Sequence, residues 1–176
     1  MDRSAVFVDA GYLFAAGSKL ITGERRTRSQ LHLDHDAVLA LLTRLSAELT
    51  SLPLLRIYWY DGASGPATPT QVALAYRPNL KLRLGLVTEA GQSGVDQLLA
   101  RDLVELARSH AVADALLLSG DDDLREAVES AQAHGVRLHL LGIAPQRENQ
   151  AGALVQAADT AHELSEEQVR GFLSAR

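Results

Sequence analysis

Ala115-Leu116-Leu117-Leu118-Ser119-Gly120-Asp121-Asp122-Asp123-Leu124 is an apolar run that stops at two small residues and meets three consecutive carboxylates. An apolar run ending in a small-residue turn predicts a buried strand, a tight turn and a following helix. In an open parallel sheet, ligands bind just beyond the carboxyl ends of the strands. Three acidic side chains there repel one another, and a bound divalent cation removes that cost. A solvated surface avoids it as well. The choice depends on whether other segments bring carboxylates to the same edge.

Downstream, Leu124 to His134 has helical character and stops at Gly135, a residue suited to a helix C-terminus. Val136 to Gly142 is the next strand, joined by that one glycine as in the compact helix-to-strand connections of parallel sheets. Pro145 to Asn149 reads as a polar loop, and Thr160 to Leu164 as a short strand or turn. Ser165-Glu166-Glu167-Gln168 resembles a capping box that opens a terminal helix over 165–175.

Upstream, Val95 to Ala107 is a helix with Asp96 in its first turn, where the helix dipole favours a carboxylate. Asp102 falls near its apolar stripe and needs a partner; Arg101 and Arg108 are the nearest cations in sequence. Leu80 to Val87 alternates apolar residues with Lys81 and Arg83, the pattern of an edge strand whose basic face can also meet a substrate backbone. Leu54 to Tyr60 is a strand that ends at Asp61-Gly62, read first as a turn, with distant support to a site as the alternative role of Asp61. The helix opening at Asp34 carries Val38, Leu41, Leu42, Leu45 and Leu49 at helical spacing. Ser18 to His32 is polar and reads as a loop or short hairpin, with Arg25, Arg26 and Arg28 available to phosphates. Ala5 to Val8 is a short strand running directly into Asp9, which taken alone reads as the cap of the next helix, with a site at the strand's carboxyl end as the alternative.

The alternation of strands and helices predicts an α/β fold, a mostly parallel sheet with helices on both faces. Asp9, Asp96 and Asp121 to Asp123 then share one rim. A rim of carboxylates without His or Cys suits Mg²⁺ or Mn²⁺ rather than zinc. Asp9 and Asp121 are the expected direct ligands, with Asp96 and Asp123 completing the shell and Asp122 ranked below them. Such a site would activate a water for attack on a phosphodiester.

Composition sets the outer limits. The 176 residues suit one domain spanning 1–176, with a core over about 4–164. Apolar residues are 47% and charged residues 22%, as in ordinary soluble domains. With no cysteine, disulfides, thiolate metal sites and cysteine nucleophiles are excluded. No stretch has the length of a membrane span and no leader pattern opens the chain, so the expectation is a cytoplasmic protein. A net charge of −5 argues against coating nucleic acid by bulk attraction, but not against an acidic site with a locally basic rim.

Three segments carry a family resemblance: Phe7-Val8-Asp9-Ala10-Gly11-Tyr12-Leu13, then Gly94-Val95-Asp96 with Leu99-Ala100-Arg101-Asp102, then Ser119-Gly120-Asp121-Asp122-Asp123-Leu124. In this order and spacing they resemble the NYN domain, a PIN-like nuclease family that includes the LabA-like bacterial proteins. Leu154-Val155-Gln156-Ala157-Ala158-Asp159 fits the family's ending. The resemblance implies a PIN-like three-layer α/β/α sandwich around a mostly parallel sheet of about five strands. It also implies a metal-dependent ribonuclease with Asp9, Asp96, Asp121 and Asp123 as catalytic carboxylates, and single-stranded RNA as the substrate. Two positions depart from the family pattern. Tyr12 stands where the family often has Asn, and Ser93 where many members have Lys. With Ser119 and the basic residues Arg25, Arg26, Arg28, Lys81 and Arg83, these two make up the expected substrate-binding set. The competing function is a non-catalytic RNA-binding or protein-interaction module on the same fold. A nucleotide triphosphatase is disfavoured because no GxxxxGK[ST] loop is present. The Leu/Arg strand and the terminal helix are the candidate surfaces for a homodimer.

Overall fold

The computed structural model describes residues 1–91 and 93–176. The chain runs β1 (Ser4–Asp9), α1 (Ala10–Thr22), β2 (Leu31–Leu33), α2 (His35–Thr50), β3 (Leu54–Ala63), α3 (Pro69–Ala75) and β4 (Leu80–Leu86). It continues with α4 (Val95–Arg108), β5 (Asp114–Leu118), α5 (Arg125–Ala133), β6 (Arg137–Ile143), α6 (Gln146–Asn149) and α7 (Gly152–Ala157). The last elements are β7 (Thr160–Leu164), α8 (Glu166–Arg170) and β8 (Leu173–Ala175). Single 3₁₀ turns precede β2 and follow β5.

The central sheet has six strands in the order β4-β3-β1-β5-β6-β7, every neighbouring pair parallel. The expectation was about five strands; the sixth is β7, whose sequence Thr-Ala-His-Glu-Leu also fits a turn. Side chains of successive strand residues leave opposite faces. Val6, Val8, Leu116 and Leu118 therefore join the core beneath α1 and α2, while Ala5, Phe7 and Leu117 join the core beneath α4, α5 and α7. These layers form a PIN-like α/β/α sandwich.

The strand order places the ligand cleft. From β1 the chain first builds outward through β3 and β4, then returns to the other side of β1 and builds outward through β5, β6 and β7. The switch point lies between β1 and β5, and the carboxyl ends of these two strands open a crevice there. Asp9 ends β1, and Ser119-Gly120-Asp121 follows β5.

α1 and the chain's last segment depart from the sequence expectation. α1 continues through the start of the supposed loop, to Thr22, and stops at Gly23, whose φ of 85° is the left-handed conformation a helix C-cap uses. The terminal helix expected over 165–175 covers only Glu166–Arg170; the chain then forms β8, antiparallel to β2 in a separate two-stranded sheet. Strands of three residues carry too little pattern to be read locally. Leu173 and Phe172 turn inward against α1 and α2, which holds the pair in place.

Candidate functional site

A cavity of about 1090 Å³ opens at the switch point. Asp9, Asp96, Asp121 and Asn149 form one end of its wall, and Lys19, Arg25, Arg28 and Asp61 also line it.

Asp9 both caps α1 and faces the cavity. Its Oδ1 accepts from the Tyr12 amide at 3.2 Å and its Oδ2 from the Ser119 hydroxyl at 2.8 Å. Burial raises its pKa above the ordinary carboxylate value, and the Asp121 charge adds to the rise against these hydrogen bonds. Asp121 turns the chain after β5: its Oδ1 accepts from the Asp123 amide at 2.9 Å. Asp96 rides on the first turn of α4, where the Ser93 hydroxyl accepts from the Val95 amide at 3.2 Å. The backbone beneath it is close-packed, because a side chain at Gly85 would lie 2.6 Å from the Val95 nitrogen.

Asp96, Asp121 and Asp123 each offer a carboxylate oxygen, and the three oxygens lie within 4.8 Å of one another. Partial burial, a hydrogen bond with Asp121 and the charges of Asp121, Asp9 and Asp123 push the Asp96 carboxyl up to about 7. A proton shared between carboxylates is how such a cluster relieves repulsion without a cation. The donor set is all oxygen, so it fits a hard divalent metal. The convergent trio is therefore Asp96, Asp121 and Asp123, with Asp9 beside it and its oxygens already hydrogen-bonded. The sequence reading put Asp9 and Asp121 first. Asp122 is exposed and turns to Arg125 at 3.7 Å, away from the trio.

The remaining candidate residues divide by position. Tyr12 and Ser93 line the cavity. The Tyr12 hydroxyl accepts from the Ile143 amide at 2.9 Å and donates its own hydrogen to Asn149 Oδ1 at 2.5 Å. Asn149 Nδ2 then donates to the Ile143 carbonyl at 2.6 Å, and among the described residues its second N–H has no protein acceptor. This bridge ties α6 and the end of β6 to α1. Gly120 is required at the crossing, since a Cβ there would lie 2.3 Å from the Asn149 carbonyl and 2.8 Å from the Tyr12 ring. Ser119 is fully buried behind Asp9 and does not line the cavity, so it supports Asp9 instead of meeting substrate.

Of the basic residues, Arg25 and Arg28 line the cavity, and Lys19, from the same polar segment but outside the expected substrate-binding set, joins them. Arg26 pairs with Glu24 at 3.2 Å outside it. Lys81 and Arg83 do not line the cavity. They are in register with Tyr58 and Tyr60, whose side chains enter the core beneath α4. Arg83 is bound to Asp102 at 2.8 and 3.1 Å, and Tyr60 adds a hydrogen bond to the same carboxylate at 3.0 Å. Asp102 thus takes its main partner from the neighbouring strand. Arg101 approaches only to 3.8 Å, and Arg108 forms no ion pair among the described residues. Asp61 is also not a turn residue. β3 continues through it to Ala63, and the buried Asp61 carboxylate binds Arg28 at 2.6 and 2.7 Å. Asn149, Glu148 and Gln71 complete parts of the wall that the sequence reading missed; a polar segment after β6, the strand next to β5, was the available signal for the first two.

The family model of the NYN domain matches residues 3–165. The chain belongs to the NYN domain family. NYN domains fall in the PIN-like nuclease superfamily. The uncharacterized protein y4oD of Sinorhizobium fredii is 50% identical over 107 residues, covering 60% of this chain and 50% of that protein. The chain therefore spans about half the length of that relative. The crystal structure of VPA0982, a protein of unknown function from Vibrio parahaemolyticus, is similar with a TM-score of 0.65. That match covers 98% of this chain and 96% of the other at 16% identity, and it speaks to the fold alone. In this NYN domain, the acidic cluster can bind a divalent metal. No helix among the described residues is long and apolar enough to cross a membrane.

Proposed function

We propose that this NYN protein is a metal-dependent ribonuclease that hydrolyses phosphodiester bonds in single-stranded RNA. The observation that carries the reading is the convergence of the Asp96, Asp121 and Asp123 oxygens within 4.8 Å, with Asp96 and Asp121 on the wall of a cavity large enough for nucleotides. Asp96, Asp121 and Asp123 would hold Mg²⁺ or Mn²⁺. When bound, such an ion supplies a Lewis acid for a phosphoryl oxygen and lowers the pKa of water.

The chain's own groups do the rest. Asp9 is held in one orientation by Ser119 and the Tyr12 amide, and its raised pKa makes it a better proton acceptor than a free Asp. It serves to orient the attacking water and take its proton. Asn149 offers its free amide N–H to a phosphoryl oxygen, with Tyr12 locking the amide so that nitrogen, not oxygen, is presented. Lys19 and Arg25 give the polyanion local positive charge in a protein of net charge −5. A cytoplasmic location fits this function.

A second reading is a non-catalytic RNA-binding or interaction module. It draws on Tyr12 and Ser93, the two family positions that depart from Asn and Lys. The Tyr12 hydroxyl is committed to Asn149 and Ile143, and the Ser93 hydroxyl to the Val95 amide. A cleavage assay separates the two. Labelled single-stranded RNA and DNA are incubated with Mn²⁺ and with EDTA, using wild type and Asp121→Asn. Cleavage of RNA that needs Mn²⁺ and disappears in the variant supports the nuclease. RNA binding unchanged by EDTA, with no cleavage under any condition, supports the module. Cleavage of DNA alone overturns the substrate assignment.

A further inference from the structure

Arg28 reaches the cavity from the 3₁₀ turn before β2, and its surroundings say what it can bind. The Asp61 carboxylate takes four donors: Arg28 Nη1 at 2.6 Å, Arg28 Nη2 at 2.7 Å, the Gly62 amide at 2.8 Å and Gln71 Nε2 at 3.3 Å. Gln71 is itself fixed, accepting from the Thr68 amide at 2.9 Å and donating to the Gly62 carbonyl at 3.0 Å. The guanidinium is thus clamped edge-on by a rigid carboxylate. The ring of Phe14 backs one of its faces, with the guanidinium carbon 4.4 Å from the ring centroid.

This arrangement makes Arg28 a poor phosphate ligand. Its charge is compensated by Asp61, and the bidentate fork that would grip a phosphate is occupied. One face of the plane remains. The Arg28 side chain is 45% exposed and lines the cavity, whereas Phe14 does not line it. With Phe14 on one face and Asp61 on the edge, the face turned away from Phe14 is the one left for a ligand in the cavity. Ser29, Ser64, Thr68 and Thr70 also line the cavity.

We infer that Arg28 is a preformed stacking platform for one nucleobase of a single-stranded nucleic acid whose backbone passes the acidic cluster. Bases stack on guanidinium planes as they do on aromatic rings. A platform already locked by Asp61, Gln71 and Phe14 loses little rotamer freedom on binding. The hydroxyl residues of the cavity would contact the base edge and set its preference. The inference rests on the nucleic-acid reading of the cavity, but not on cleavage.

The test is an abasic scan. Binding of a short labelled single-stranded RNA is measured by fluorescence anisotropy in Ca²⁺, another hard cation for oxygen donors, with an abasic site placed at each position in turn. In the wild type, one position is expected to weaken binding about 10-fold, within the range of single-base stacking. Arg28→Lys keeps the charge and loses the plane. It is expected to weaken binding of intact RNA by a similar factor and to add nothing on RNA that is abasic at that position. A flat scan on the wild type overturns the inference without any variant. An Arg28→Lys loss that persists in full on the abasic RNA also overturns it, since that loss reports charge or structure. Base-dependent binding without cleavage upholds the platform and sinks the nuclease. Cleavage with a flat scan sinks the platform alone, and failure to bind any oligonucleotide sinks both.

Discussion

Asp96→Asn should stabilise the metal-free protein at pH 8 and abolish its stabilisation by metal. Asp96 carries the clearest cost in the acidic cluster, with a pKa displaced from 3.8 to about 7 by burial and by its carboxylate neighbours. The sign follows from proton linkage. The folded state holds this proton more tightly than the unfolded chain, so the protonated carboxyl contributes stability in full below about pH 4, and the contribution is lost as pH rises to about 7. At about 1.4 kcal/mol for each pKa unit, the displacement corresponds to about 4 kcal/mol in full. Asp96 is half-buried, and solvent screening reduces this to about 1–2 kcal/mol. For a domain of this size that is about 3–6 °C in melting temperature. The assay is thermal unfolding in EDTA and in Mn²⁺ from pH 5 to pH 8. The variant should melt higher than wild type in EDTA at pH 8, the gap should close towards pH 5, and Mn²⁺ should raise only the wild type. A variant that melts at or below wild type in EDTA at pH 8 would refute the repulsion argument. A metal-induced rise of equal size in both would refute the role of Asp96 as a ligand.

Two further substitutions probe the supports of the site. Ser119→Ala removes the hydrogen bond that holds the Asp9 carboxylate ionised, so the pKa of Asp9 should rise further and the acid limb of any Mn²⁺-dependent activity should move to higher pH; an unmoved limb would separate Asp9 from the chemistry. Arg83→Ala leaves Asp102 partly buried without its main partner, and unfolding should show a loss of about 2 kcal/mol. RNA affinity should be unchanged in that variant, and a drop in affinity at unchanged stability would return Arg83 to the substrate surface.

The fold was largely legible because its signals are local. The run from Ala115 to Leu118, the helical spacing after Val95 and the single Gly135 between α5 and β6 each report their own element, and alternation of elements implies a parallel sheet. The acidic cluster was legible for a related reason: Asp9 and Asp121 follow strands directly, and Asp96 opens a helix, positions that a parallel sheet gathers at one edge. What stayed hidden depends on contacts between distant segments. Lys81 and Arg83 visibly share a face, but alternation cannot say which face of the sheet it is, and the register with Tyr58 and Tyr60 turns it to α4. Asp61-Gly62 has the composition of a turn, yet the pairing of β3 with β4 carries the strand through it and buries the carboxylate against Arg28, 33 residues away in the chain. Asn149 gains its meaning only through Tyr12, 137 residues earlier.

Anomalous diffraction from crystals soaked in Mn²⁺ tests the central claim most directly. The account predicts a manganese peak among the carboxylates of Asp96, Asp121 and Asp123, lost in crystals of Asp121→Asn. Soaked crystals with no peak at this cluster, or with manganese bound only at unrelated surface carboxylates, would contradict it.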